Sequence, residues 1–318
     1  MLSGHTDVVP VTGQAWTGNP FRLRVEAGRA YGRGTADMKG FVAAALALAI
    51  RASDRELAVP LHLAFSHDEE IGCVGVRSLI DRLAGRGVRP HLTIVGEPTG
   101  MRIATGHKGK LAARATCCGV GGHSALAPKA LNAIHLACDF VGALRARQDA
   151  LAESGARDPD YDVPYTTIHV GLIGGGTALN IVPSQCTVDF EIRNVAADDA
   201  DAILGQIMEA GEAIAAQRRE RFPEAGIVIE PQNAYPGLST PSDSEAVAFL
   251  AELVGSSQTH KVAFGTEGGL FASRLGTPTV ICGPGSMEQG HKPDEFVTLA
   301  QLAACDAMMD RLLDRLVT

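Results

Sequence analysis

His5 and Asp7 stand two residues apart in Ser3-Gly4-His5-Thr6-Asp7, at the end of a short apolar run. Asp37 lies in Gly34-Thr35-Ala36-Asp37-Met38-Lys39-Gly40, the pair Glu69-Glu70 follows the run Leu61 to Ser66, and Glu97 lies in Val95-Gly96-Glu97-Pro98-Thr99. A second histidine opens His291-Lys292-Pro293-Asp294-Glu295, shortly after the run Thr279 to Cys282. Imidazoles and carboxylates in this ratio suit Zn²⁺, or Co²⁺ and Mn²⁺ in its place. Two such ions roughly 3.5–4 Å apart activate one water and clamp the tetrahedral species it forms. The pattern therefore points to a two-metal hydrolytic site.

Each group has a plainer reading when taken alone. Asp37 suits a helix N-cap. His5 with Asp7 could be a surface histidine beside a turn, and Glu69 and Glu70 a solvated acidic turn with Asp68. Glu97 could be a loop residue and His291 a surface one. The joint pattern decides, because open α/β sheets hold ligands at the carboxyl ends of their strands, and all five places are of that kind. Asp7 shares a strand face with His5. It is placed to take the imidazole's other N–H, as partners of metal-bound histidines do.

The elements that must deliver these groups alternate. Leu2 to His5 reads as a strand, Phe41 to Ile50 as a buried helix, Leu61 to Ser66 as a strand, Val74 to Leu83 as a helix and Leu92 to Val95 as a strand. That order predicts a mainly parallel sheet covered by helices. After His107 the order changes. Strands are expected at Leu111 to Cys117, Thr166 to Ile173, Thr187 to Arg193 and Ile227 to Pro231, with helices at Asn132 to Arg147 and Ala200 to Arg219. This β-α-β-β-α-β order is that of a ferredoxin-like module. The α/β pattern then resumes with a helix from Ser244 to Leu253, strands at Val262 to Phe264 and Thr279 to Cys282, and a closing helix from Leu299 to Leu316. Ala152 to Tyr165, with three Asp and two Pro, reads as a surface loop.

Composition excludes several classes. The 318 residues suffice for one large or two ordinary domains, and 46% hydrophobic with 20% charged residues describes a globular chain. A net charge of −8 and the lack of a basic run argue against nucleic acid and against anionic membranes. Nothing apolar reaches the ~18 residues of a membrane span, and the start is not a signal peptide. Seven cysteines without a C-x-x-C pair suggest buried free thiols and a reducing cytoplasm.

The motifs together resemble the di-zinc aminoacylase family that includes acetylornithine deacetylase, succinyl-diaminopimelate desuccinylase and glutamate carboxypeptidases. Beyond those already quoted, Gly121-Gly122-His123-Ser124-Ala125 and Asp68-Glu69-Glu70-Ile71-Gly72 match, and the likeness covers essentially the whole chain. The resemblance implies a zinc-exopeptidase-like catalytic domain, residues 1–107 and 237–318, with a ferredoxin-like lid or dimerisation domain inserted at 108–236. It implies that Asp37 bridges two metals, that His5 and Glu97 complete one site, and that Glu70 and His291 complete the other. Glu69 is then the general base and Asp7 orients His5. His123 would reach the active site of a partner subunit in a homodimer. Asn180 and Arg193 resemble contacts to the substrate carboxylate, and Glu267 is placed to face a side-chain ammonium. Asp37 is expected to precede a cis peptide bond to Met38.

Within the family, Phe264-Gly265-Thr266-Glu267-Gly268-Gly269-Leu270-Phe271 and Cys282-Gly283-Pro284-Gly285-Ser286-Met287 resemble acetylornithine deacetylases. The expected activity is thus removal of an acetyl group from N²-acetylornithine, in arginine biosynthesis. Another N-acyl amino acid or a dipeptide is the alternative within the same chemistry. Family members usually carry several dozen residues before the H-x-D motif, so the N-terminal part of the catalytic domain is expected to be missing. A non-catalytic protein that keeps the lid for dimerisation is the reading from a different class.

Overall fold

The computed structural model describes residues 1–317, and its chain divides into two compact units, Met1–His107 with Gly237–Thr318, and Lys108–Pro236. The first is built on a seven-stranded sheet. Its order is Leu238–Ser239, Ile103–His107, Thr279–Ile281, Thr93–Val95, Leu2–His5, Leu63–Ser66, with Thr259–Val262 also pairing on Ile103–His107. The pairings among Leu63–Ser66, Leu2–His5, Thr93–Val95 and Thr279–Ile281 are all parallel. Residues 2–5, 93–95 and 279–281 are buried throughout. That is why none of them alternates between buried and exposed positions, as expected of parallel strands covered on both faces. The helices Gly40–Ser53, Glu245–Val254 and Leu299–Val317 share a core with them through Phe41, Leu48, Leu250, Met308 and Leu312.

Two details of this unit depart from the sequence reading. The strand expected at Val262 to Phe264 lies at Thr259–Val262, so Phe264 falls beyond it. A second, three-stranded antiparallel sheet joins Arg24–Glu26, Arg29–Tyr31 and Phe296–Thr298. Strands of three residues are too short to show a period. This small sheet pins the segment after Glu295 beside the segment before Asp37.

The second unit carries a four-stranded antiparallel sheet in the order Gly226–Tyr235, Lys110–Cys118, Gln185–Arg193, Thr167–Gly175. In chain order this is 4-1-3-2. Residues 110–118 and 185–193 alternate buried and less buried positions, as a sheet with one covered face requires. The helices Ala133–Ser154 and Ala200–Arg219 share its core with Leu136, Phe140, Val188 and Ile207. The first helix runs seven residues beyond the expected Arg147, so the loop begins only at Gly155. Its N-cap is Asn132, whose Oδ1 accepts the Ile134 N–H at 2.8 Å.

All seven cysteines are unpaired; Cys118 is half-buried and Cys138 exposed, the other five buried. No helix among the described residues is long and apolar enough to cross a membrane.

One glycine shows how tightly the sheet end is packed. A methyl group at Gly96 would lie 1.9 Å from Cγ of the fully buried Phe41 ring. At Gly85 the same methyl would meet nothing within 4 Å. Gly96→Ala should therefore destabilise the chain by about 1–3 kcal/mol, as overpacking does, and Gly85→Ala by little. Denaturant unfolding of both variants checks this, and equal stabilities would show that the Phe41 ring yields freely.

Candidate metal centre

Three neighbouring parallel strands release acidic or imidazole groups at the same end. The Leu2–His5 strand ends on His5, which pairs with Ser66, and continues to Asp7. The Leu63–Ser66 strand runs into the turn that carries Glu69 and Glu70, and Thr93–Val95 runs into Glu97. Asp37 lies ahead of the Gly40–Ser53 helix with non-helical φ −119° and ψ 93°. The cap residue of that helix is Lys39, without a side-chain cap bond, so the plain N-cap reading of Asp37 does not hold. The Asp37–Met38 peptide is cis. His291 adopts a left-handed φ of 60° in its loop, a conformation that costs a non-glycine residue about 1–3 kcal/mol.

The two oxygens of Asp37 face different histidines. Oδ1 lies 3.1 Å from His5 Nε2, and Oδ2 lies 3.1 Å from His291 Nε2. His291 Nε2 is also 3.1 Å from Glu70 Oε2. Ligand-capable atoms of His5, Asp37 and Glu70 lie within 4.8 Å of one another, and so do those of His5, Glu69 and Glu97. Glu69 and Glu97 thus both come within 4.8 Å of His5. Its Oε1 accepts from Cys73 Sγ at 3.3 Å, a contact the sequence reading did not contain.

His5 Nδ1 points back at Asp7, but its hydrogen bond goes to the Asp7 main-chain oxygen at 3.0 Å. The nearer carboxylate oxygen, Oδ1, is 3.4 Å away, an ion-pair distance. Asp7 Oδ2 accepts the Glu70 N–H at 3.1 Å. Asp7 thus touches both the imidazole and the acidic turn. Glu267 is buried beside Ser3, whose Oγ donates to its Oε2 at 3.5 Å, while Oε1 has no hydrogen-bond partner.

Burial sets the electrostatics. It pushes Glu69 up to about 8, with the charges of Glu267 and Asp37 adding to it. Burial, then Asp37 and Glu69, drives Glu97 well above the usual carboxylate range. Glu267 rises to about 7, again through burial. Asp37 goes the other way: burial opposes its charge, but the two histidines hold it below the usual range. His291 is raised to about 10 by Asp37 and Glu70. Burial works against a charged His5, yet Asp37 and Asp7 outweigh it and raise its pKa. A centre with so many acids in contact can discharge by taking up protons or by taking up cations. Two imidazoles and three carboxylates form a donor set that fits divalent ions.

The remaining predicted residues belong to the second unit. His123 is exposed and caps the short Ser124–Lys129 turn, its Nδ1 accepting the Ala125 N–H at 3.1 Å. Asn180 is exposed next to it in the chain's packing, since its carbonyl accepts the Ser124 N–H at 2.9 Å. Arg193 is apart from this pair. Its fork is already engaged, by Glu191 at 3.0 and 3.2 Å and by the Tyr235 hydroxyl at 3.0 Å.

The sequence pattern that defines Peptidase family M20/M25/M40 matches residues 1–315. The chain belongs to that family. It is 32% identical over 317 residues to an acetylornithine deacetylase from Proteus mirabilis, covering 99% of this chain and 78% of the relative. It is 33% identical over 315 residues to one from Photorhabdus laumondii, covering 99% and 79%. Among solved structures, a metallo-carboxypeptidase of the M20 family from Sulfolobus solfataricus superposes with a TM-score of 0.78 at 19% identity, over 99% of this chain and 84% of the other. Membership in the M20 family makes this chain a hydrolase of amide bonds, and the strand-end cluster contains groups that could hold a metal ion.

Proposed function

We propose that the chain is a di-metal amidohydrolase that removes the acetyl group from N²-acetyl-L-ornithine, giving L-ornithine and acetate for arginine biosynthesis. The observation that carries the reading is Asp37, whose carboxylate presents one oxygen to each histidine at 3.1 Å. That is how one side chain would serve two ions at once. His5 and Glu97 would hold one ion, and Glu70 and His291 the other, Zn²⁺ by preference and Co²⁺ or Mn²⁺ in its place. When bound, the ions lower the pKa of a water and polarise the amide carbonyl.

The chain's own groups do the rest. Glu69, close to the ligands but spared by them, takes the proton of the attacking water. The water oxygen adds to the amide carbon, the C–N bond breaks, and Glu69 returns the proton to the leaving amine. Glu267 offers a buried carboxylate to the ornithine ammonium, and its partnerless Oε1 supports that role. Arg193 would meet the substrate carboxylate, for which it must loosen its hold on Glu191. Asn180, apart from it within one chain, would reach that carboxylate from the partner subunit, as His123 would. Seven unpaired cysteines favour a reducing cytoplasm. A dipeptide substrate is the second reading, favoured by the likeness to a carboxypeptidase fold.

Assay of the purified chain, stripped by chelator and then reloaded with Zn²⁺ or Co²⁺, separates these. N²-acetylornithine should be the best of a panel of N-acyl amino acids and dipeptides, with about two ions bound per chain and no turnover after chelation. Faster cleavage of a dipeptide would overturn the substrate, and full turnover without metal would overturn the site.

The neighbours Glu69 and Glu70 should differ. Glu69→Ala should keep both ions and lose ~10²–10⁴-fold in turnover, the usual contribution of proton transfer. Glu70→Ala should lose an ion. Equal metal loss in both variants would mean the roles are exchanged or shared.

We also propose a homodimer built through the second unit. Its edge strand Thr167–Gly175 leaves Leu172 and Ile173 exposed, as a strand awaiting a partner would. His123 of one chain would then donate to the oxyanion in the other chain's site, a contact typically contributing about 10²–10³ in rate. Mixing inactive His123→Ala and Glu69→Ala chains should restore activity, because one site of each heterodimer has both groups. Demonstrated heterodimers without activity would show that His123 acts elsewhere.

A further inference from the structure

Glu295 is a carboxylate at the end of the His291 motif, and it is closed off from solvent. Its Oε2 takes the Arg33 guanidinium at 2.6 Å, with both side chains no more than 1% exposed. Its Oε1 accepts two main-chain donors, the N–H groups of Ala36 at 3.0 Å and of Asp37 at 3.2 Å. Its own carbonyl accepts the Gly32 N–H at 2.9 Å. Both oxygens are thus spent within the chain, so this acid is neither a ligand nor a base.

The network continues to the other histidine. Arg33 donates its second terminal nitrogen to the side-chain oxygen of Gln14, and its guanidinium stacks 5.1 Å from the centre of the Trp16 ring. Gln14 in turn donates from Nε2 to the main-chain oxygen of His291 at 3.0 Å. One path of hydrogen bonds therefore runs from the amide of Asp37, through Glu295, Arg33 and Gln14, to the carbonyl of His291.

We infer that Glu295, Arg33 and Gln14 are positioning residues of the metal centre, holding the Asp37 backbone and the His291 loop in one fixed relation. The inference rests on the reading of Asp37 and His291 as ligands. A buried ion pair is poor evidence for stability, because desolvation consumes most of its attraction. What it supplies is direction. The guanidinium and the two N–H donors fix the carboxylate plane of Glu295, and so fix the amide from which Asp37 departs. His291 needs such a tie more than the other ligands do. Its side chain is 43% exposed and its backbone is left-handed, so packing alone does not hold it.

The two ends of the path differ in what they touch, which makes the idea testable. On that reading Asp37 would serve both ions, and His291 only the one it would share with Glu70. Glu295→Gln should weaken both ions by ~10–100-fold, the usual effect of changing a group that orients a ligand. Gln14→Ala, at a half-buried position, should fold normally and weaken only the ion at Glu70 and His291, by about tenfold or more. The measurement is a chelator-buffered titration of the full chain with Zn²⁺ or Co²⁺, together with the melting temperature of the metal-free form. Wild-type chain is titrated first. Its failure to take up any ion overturns the metal centre and the positioning role together. With wild-type binding in hand, a Gln14→Ala chain that binds both ions as wild type overturns the positioning role alone. So does a Glu295→Gln chain whose metal-free form melts lower while both affinities stay unchanged, since that is mere support of the fold.

Discussion

The Asp37 carboxylate is nearly sealed from solvent, and its two oxygens each lie 3.1 Å from a different imidazole. Everything else at the sheet end is arranged so that this can be true. His5 must end one strand, Glu97 the next, and the acidic turn a third, while the loop before the Gly40–Ser53 helix must reach over them. His291 must come back to the same point from the far end of the chain. A buried acid with no partner would neutralise itself or unfold its surroundings. Here the imidazoles instead hold Asp37 below the usual carboxylate range, while burial drives Glu69 and Glu97 upward. Within one small volume, acids of the same kind are pushed in opposite directions by what each faces.

All five ligand candidates belong to Met1–His107 and Gly237–Thr318. The unit Lys108–Pro236 has its own sheet and its own apolar core. Its insertion after the strand Ile103–His107 leaves the sheet continuous, because the chain returns at Leu238–Ser239 to pair with that same strand. A fold arranged in this way can carry a large insert and still bring His291 home.

The placement of His5, Glu70 and Glu97 was legible because each follows a short strand, and a sheet of parallel strands collects such positions at one end. Asp37 departs from that expectation, since the strand before it, Arg29–Tyr31, belongs to the small antiparallel sheet. The β-α-β-β-α-β order of the second unit was legible through its strands of nine or ten residues. The three-stranded sheet at Arg24–Glu26, Arg29–Tyr31 and Phe296–Thr298 was not, since three residues carry no period. Glu295 stood in a recognised motif, yet nothing in its type distinguishes a buried acid from a solvated one. Its role shows only when Arg33, 262 positions away in the chain, is seen against it. Arg193 illustrates the converse. An arginine at a strand end looks free in a sequence, but its fork closes on Glu191, two residues earlier on its own strand.

The separation of His5 from His291 has a consequence for how the protein comes to exist. Chain synthesis runs from the amino terminus, so His5, Asp37, Glu70 and Glu97 all emerge before the Lys108–Pro236 unit, and His291 only after it. On the ribosome, four of the five candidates are available while the last is still unmade. A cation arriving then would meet an acidic half-cup with Asp37 turned toward an absent neighbour. The small sheet that brings Phe296–Thr298 onto Arg29–Tyr31 is therefore a late closure. Until it forms, the buried acids of the sheet end lack one of the two imidazoles that hold Asp37 below the usual carboxylate range.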